Sequence, residues 1–175
     1  MKFRSALIAM LCGLVCLTNA SMAGNSDLEI HVVPRGLDHN EKRTGTGSGT
    51  DTVEHWVYDI TIENKTFKEL TDLQVTYNAF YKHERFGSTS KDAPEAKRKT
   101  GTIALPSIKP HEKKVLTTDQ LELTKHYLTG GWYFSNGGKI AANDALDGLW
   151  VRVMQGGQLF AEYANPSTLI KEKWE

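Results

Sequence analysis

Cysteine is almost missing from this chain: there are two among 175 residues, Cys12 and Cys16, both near the start. Everything beyond Cys16 is therefore without a disulfide framework or a thiol nucleophile, and must be held by its core alone. An excess of one charge is missing too, since 21 Lys and Arg balance 21 Asp and Glu. The only basic block is the short Ala96-Lys97-Arg98-Lys99, which disfavours nucleic-acid binding as the main task, because that needs a clustered cationic face. Long amphipathic helical periodicity is absent as well. So are the Gly-x-Ser-x-Gly elbow, the His-Glu-x-x-His spacing and the EF-hand loop pattern.

What is present begins with a targeting signal. Lys2 and Arg4 precede an apolar run from Ala6 to Leu17, and Ser21 and Ala23 stand at the −3 and −1 positions of a cleavage site. This predicts a secretory signal peptide over residues 1–23, since the run is shorter than the ~20 residues that span hydrocarbon. Cleavage removes both cysteines, and loss of Lys2 and Arg4 takes the formal charge from 0 to −2. The expectation is a periplasmic or secreted protein, with residues 24–175 forming a single domain and no membrane span after cleavage.

The stretch from His55 to His83 organises that domain. Trp56, Tyr58, Ile60 and Ile62 alternate with Val57, Asp59, Thr61 and Glu63, and Leu73, Val75, Tyr77, Ala79 and Tyr81 alternate with Gln74, Thr76, Asn78 and Lys82. Period-two alternation gives each segment one core face and one wet face. The link between them lacks a two-residue turn signal, so the chain is expected to cross from one sheet to another there, with Phe67 and Leu70 plugging the end of the core.

Further strands are predicted over Leu28–Val32, ending at Pro34, around Ile103–Ile108, and over Lys113–Leu123. The hairpin LWVRVMQ and QLFAEYA turns on Gly156-Gly157. Mobile loops are expected over 35–52 and 84–100, where Gly, Ser, Thr and charge dominate. Residues 124–148 depart from the strand rhythm, and the run from Ala141 suits a helical turn. Asn165 and Pro166 suit the N-cap and first position of a short C-terminal helix. The total is about seven strands, an all-β immunoglobulin or fibronectin type III-like β-sandwich.

The aromatic-rich first strand, Asn64 at the elbow, the Leu-x-x-Leu-x-Val-x-Tyr second strand and the later Lys109-Pro110-His111-Glu112 turn together resemble bacterial extracytoplasmic Ig-like modules of the FxLYD and CARDB type. His111 stands where those modules usually have Gly, and the resemblance covers about residues 53–123. The C-terminal run from Gly148 to Trp174 resembles the ending of secreted proteins of planctomycete and verrucomicrobial type. Both resemblances imply a secreted β-sandwich and neither supplies functional residues.

The candidate chemistry is thin. Trp132, Tyr133 and Phe134, flanked by glycine pairs, are the leading ligand-binding residues: flat rings at a sandwich edge stack on sugars or anchor a partner protein, and the competing reading turns them inward to roof the core. Asp144 and Asp147 are the weak metal candidates, with Asn143 beside them, though turn formation accounts for the same residues. The six histidines have no metal-ligand spacing, and His31 and His55 project from wet faces, where pairing of their strands would have to bring them together. The expected role is a non-enzymatic binding or envelope-interaction module without a cofactor. A carbohydrate-binding module using residues 130–138 and a small metal-dependent hydrolase are the alternatives. A protein, a cell-envelope polysaccharide or a second copy meeting along strand edges or the aromatic loop are the candidate partners.

Overall fold

The computed structural model describes residues 27–43, 49–131 and 133–174, with the side chains of 41–43 left out. The expected signal peptide and Trp132 lie outside the described residues. Among the described residues nine strands form two antiparallel sheets: β1 Leu28–Arg43, β2 Gly49–Asn64, β3 Leu70–His83, β4 Glu95–Ile108, β5 Lys113–Thr117, β6 Leu121–Leu128, β7 Ala141–Asn143, β8 Ala145–Gln155 and β9 Gln158–Asn165. The first sheet runs β1-β2-β6-β7, with β5 on the remaining length of β2, and the second runs β4-β3-β8-β9. The link from β2 to β3 crosses between sheets as expected. The all-β sandwich is therefore as predicted, and the second sheet has the order of an immunoglobulin GFC sheet widened by one strand.

The alternating residues of β2, β3 and β8 build the core. Ile60, Ile62, Val75, Ile108, Leu149, Val151 and Val153 have no exposed surface, and each buried side chain of this size is worth about 1.5–3 kcal/mol. Burial pushes the Tyr58 phenol up to about 12, so it stays neutral in the core. Tyr77 lies over Gly101 on β4, where a Cβ would come within 2.2 Å of its hydroxyl, and the hydroxyl accepts the Asp119 backbone N–H at 2.8 Å. Gly156 and Gly157 both have positive φ, 56° and 79°, which seats the predicted hairpin turn between β8 and β9.

Several boundaries differ from expectation. Pro34 does not end the first strand, because among the described strands β1 pairs with β2 alone and a missing N–H on the open edge costs no ladder bond. Residues 35–43 and 49–52 are strand, as are 95–100, so the expected loops are much shorter. Their polar residues stand on paired backbone, exposed over 35–40 and most of 95–100 and half-buried over 50–52. Lys113–Leu123 is two strands, β5 and β6, which dock successively along β2. Strand structure also continues through β6, β7 and β8, in place of the helical turn expected after Ala141. Phe67 does not plug the core: it is 86% exposed.

The C-terminal helix is a single 3-10 turn, Ser167–Lys171, preceded by Pro166 and not capped by the Asn165 side chain. Beyond it the chain folds back over the outer face of the second sheet. Asn78, itself buried, donates from Nδ2 to the Trp174 carbonyl at 2.7 Å, and Arg98 donates to the Lys173 carbonyl at 2.8 Å. The Trp174 ring meets Trp150 edge-on at 4.8 Å. Arg152 places its guanidinium 4.7 Å from the Trp150 ring and 4.2 Å from that of Trp174. Glu162 accepts both the Arg152 Nε–H at 2.6 Å and the Trp150 indole N–H at 3.0 Å.

Candidate functional site

Two connections meet at one end of the sandwich: residues 84–94, between β3 and β4, and residues 129–140, between β6 and β7. The first is polar and the second rich in glycine and aromatic residues, and they are stitched to each other. Lys139 N–H donates to the Ser88 carbonyl at 2.7 Å, and the Lys139 ammonium pairs with Glu84. Gly138 lies against Gly87 so closely that a Cβ would sit 2.2 Å from the Gly87 oxygen. Phe134 packs on Gly87 and meets Phe86 edge-on at 5.2 Å, and Phe86 in turn lies 5.5 Å from His126. Thr89 donates twice to Asp92, closing the tip of the first loop.

Asp144 fixes this end to both sheets. Its side chain is 5% exposed. One carboxylate oxygen accepts the Thr124 backbone N–H at 3.0 Å and its hydroxyl at 2.8 Å; the other accepts the Glu84 N–H at 3.1 Å and His83 Nδ1 at 2.8 Å. Burial pushes the carboxyl up, but these donors, from Thr124, Glu84 and His83, outweigh it and hold it below the usual carboxylate range. Glu84 is held low in the same way, by Lys139 and by the Asn143 backbone N–H. Thr124 is on β6 of the first sheet and His83 on β3 of the second, so one carboxylate bridges the two layers.

Around this scaffold is a polar cleft of about 760 Å³. Arg85, Ser88, Lys91, Asp92 and Asn136 line it together with the His83–Glu84 strand end. The Ser88 hydroxyl is buried and makes no hydrogen bond, an unusual state for a buried polar group. Of the aromatic residues singled out from the sequence, Tyr133 is 80% exposed and Phe134 is half-buried against Phe86. Neither roofs the main core. Trp132, between Gly131 and Tyr133, is outside the described residues.

The metal candidates are not brought together. Asp144 is the interlayer clamp, whereas Asp147 pairs with Lys82 at 2.5 Å. Asn143 contributes its backbone N–H to Glu84. His31 bonds Glu29, His55 bonds Asp38 and His126 bonds Asp51. In the β1–β2 register His31 faces Thr61 and His55 faces Asp38, so the two histidines do not meet. Among the described residues no three of His, Cys, Asp and Glu converge as a metal-binding group. The role of residues 84–94 is not visible in the sequence, where only Gly87 and Gly138 mark it, as two residues whose backbones approach too closely for a side chain.

No protein-family model matches the chain, and no curated protein matches it. Among solved structures it is similar to a Bordetella pertussis protein provisionally designated ApaA, at 12% identity and a TM-score of 0.31 over 79% of this chain and 91% of that one. A structural genomics target, SoR45, is similar at 11% identity and a TM-score of 0.32, over 85% and 95% of the respective chains. DesR, a β-glucosidase from Streptomyces venezuelae, aligns at 13% identity and a TM-score of 0.20 over 15% of its own length. Likenesses this distant carry no argument about function.

Proposed function

We propose that the protein is a non-enzymatic, periplasmic or secreted binding module of the extracytoplasmic Ig-like type, which presents its ligand surface at the stitched loop end. The observation that carries this reading is the pairing of residues 84–94 with 129–140. Two loops held by hydrogen bonds, a glycine contact and an aromatic stack lose little further freedom when a ligand arrives. The carboxylates that would serve a metal-dependent hydrolase have other tasks here, Asp144 in the interlayer clamp and Asp147 in a pair with Lys82.

Within binding, carbohydrate is the ligand favoured by a specific feature. A polar cleft lined by donors and acceptors such as Arg85, Asp92 and Asn136 suits hydroxyl-rich rings, and Tyr133 offers an exposed aromatic face close by in the chain. Titration with soluble cell-envelope polysaccharide should show saturable binding that Tyr133→Ala weakens by about tenfold, a factor equal to ~1.4 kcal/mol. Equal binding by Tyr133→Ala and Asn136→Ala variants and the parent protein would remove the carbohydrate reading.

A further inference from the structure

On the outer face of the second sheet, beside the strand ends that lead into the loop end but lined by other residues, the folded-back segment after the 3-10 turn leaves a hollow of about 500 Å³ beside β4. That is the size of a small-molecule site. Its floor is apolar, made by Phe80 on β3, Ala96 on β4 and Leu169 of the 3-10 turn. Phe80 pairs with Arg98 on one side and Gly148 on the other. A Cβ at Gly148 would lie 2.2 Å from the Asn165 oxygen and 2.9 Å from Leu169 Cδ1, so the glycine lets the entry to the 3-10 turn and Leu169 close onto β8.

The rim is charged, and its pairing determines what it attracts. Asp147 is neutralised by Lys82 at 2.5 Å and Lys97 faces Glu95 at 3.6 Å. Arg98 spends one N–H on the Lys173 carbonyl at 2.8 Å, leaving most of its planar fork unused. Lys173 and Glu172 make no ion pair among the described residues. Among the described residues, two cations without an ion-pair partner, Arg98 and Lys173, therefore share the rim with one such carboxylate, Glu172. The walls are already in place, because Asn78 and the Trp150–Trp174 contact hold the segment down.

We propose that this hollow binds a small organic monoanion with an apolar body, an aliphatic or aromatic carboxylate. Its apolar part lies on Phe80 and Leu169, and its carboxylate takes the Arg98 fork and the Lys173 ammonium. The proposal stands on residues other than those of the loop end and is independent of the function proposed above.

The test is calorimetric titration of the protein with octanoate, octanamide and octylamine, with Trp174 fluorescence as a second readout. Octanoate should bind at one site with a dissociation constant in the millimolar range or below, on the order of what ten heavy atoms support. Octanamide should bind about tenfold more weakly and octylamine more weakly still. Both charged test positions are exposed, so their variants keep the fold. Lys173→Glu should weaken octanoate by about tenfold, and Glu172→Gln should tighten it by a few-fold. Tyr133→Ala should leave octanoate binding unchanged. Octylamine binding as tightly as octanoate, no saturation below about 10 mM, or an unaltered affinity in Lys173→Glu would each overturn the proposal.

Discussion

Asn64 is fully buried at the end of β2 and uses both ends of its amide. Its Nδ2 group donates to the carbonyls of Lys68 at 2.7 Å and of Ile108 and Lys109 at 3.1 Å each. Its Oδ1 accepts the Thr66 N–H and hydroxyl. One side chain thus ties the β2–β3 crossing to the β4–β5 turn and shapes the rigid loop that holds Phe67 in solvent, edge-on to His111 at 4.8 Å. Replacing Asn64 with Ala leaves several buried groups unpaired, and should lower the urea-unfolding free energy by about 3 kcal/mol. Asn64→Asp should cost at least as much, because it turns a carboxylate oxygen toward three carbonyl oxygens. An Asn64→Asp protein as stable as the parent would show that the amide donors are dispensable. The position of Asn64 at an elbow is legible in the chain, but its partners are not, since the turn at 108–109 is distant in sequence.

At the scale of elements, the edge strands explain why polar segments read as loops. β1 carries Pro34 and a register shift between Gly36 and Asp38, and β4 carries the basic run at 96–99. Charge, proline and bulges are what blunt an exposed sheet edge, and the same composition suggests disorder when the pairing partner is unknown. The clasp on the second sheet shows the opposite case. Trp150 is legible as a strand residue, but nothing in its spacing identifies Trp174 as its cover or Arg152 as the cation between them. Arg152→Lys keeps the charge and loses the flat guanidinium that lies near both rings while reaching Glu162. It should lower stability by about 1–2 kcal/mol, on the order of a lost cation–π contact, and Trp174→Ala should cost a similar amount. Urea midpoints and the near-ultraviolet signal of the tryptophan pair check both, and an unchanged midpoint for Arg152→Lys would mean that the stacked plane contributes nothing.

For the whole molecule, stability should be sensitive to acid through the clamp that joins the layers. The folded-state pKa of Asp144 is depressed, so its contribution is full above the unfolded value near 4 and is lost as pH falls through the lower folded value. Glu29, Asp59 and Glu63 are also held low by their cationic partners, but pairs at the surface are screened and contribute little. Below about pH 4 the unfolding free energy should fall with decreasing pH. Asp144→Asn should be less stable at neutral pH and show a shallower acid slope. An acid slope identical in the two proteins would place the sensitivity elsewhere.

The sequence by itself determined the two-layer all-β architecture, the crossing between β2 and β3 and the Gly156-Gly157 hairpin, because side-chain alternation and turn chemistry act over a few neighbouring residues. Only the tertiary structure decided that Asp144 is a clamp, that Phe67 points outward, that Phe134 packs on Phe86, and that the segment ending at Trp174 closes over Trp150. Each depends on contacts between residues far apart in the chain, and local periodicity carries no information about which distant partner will satisfy a carboxylate or cover a ring.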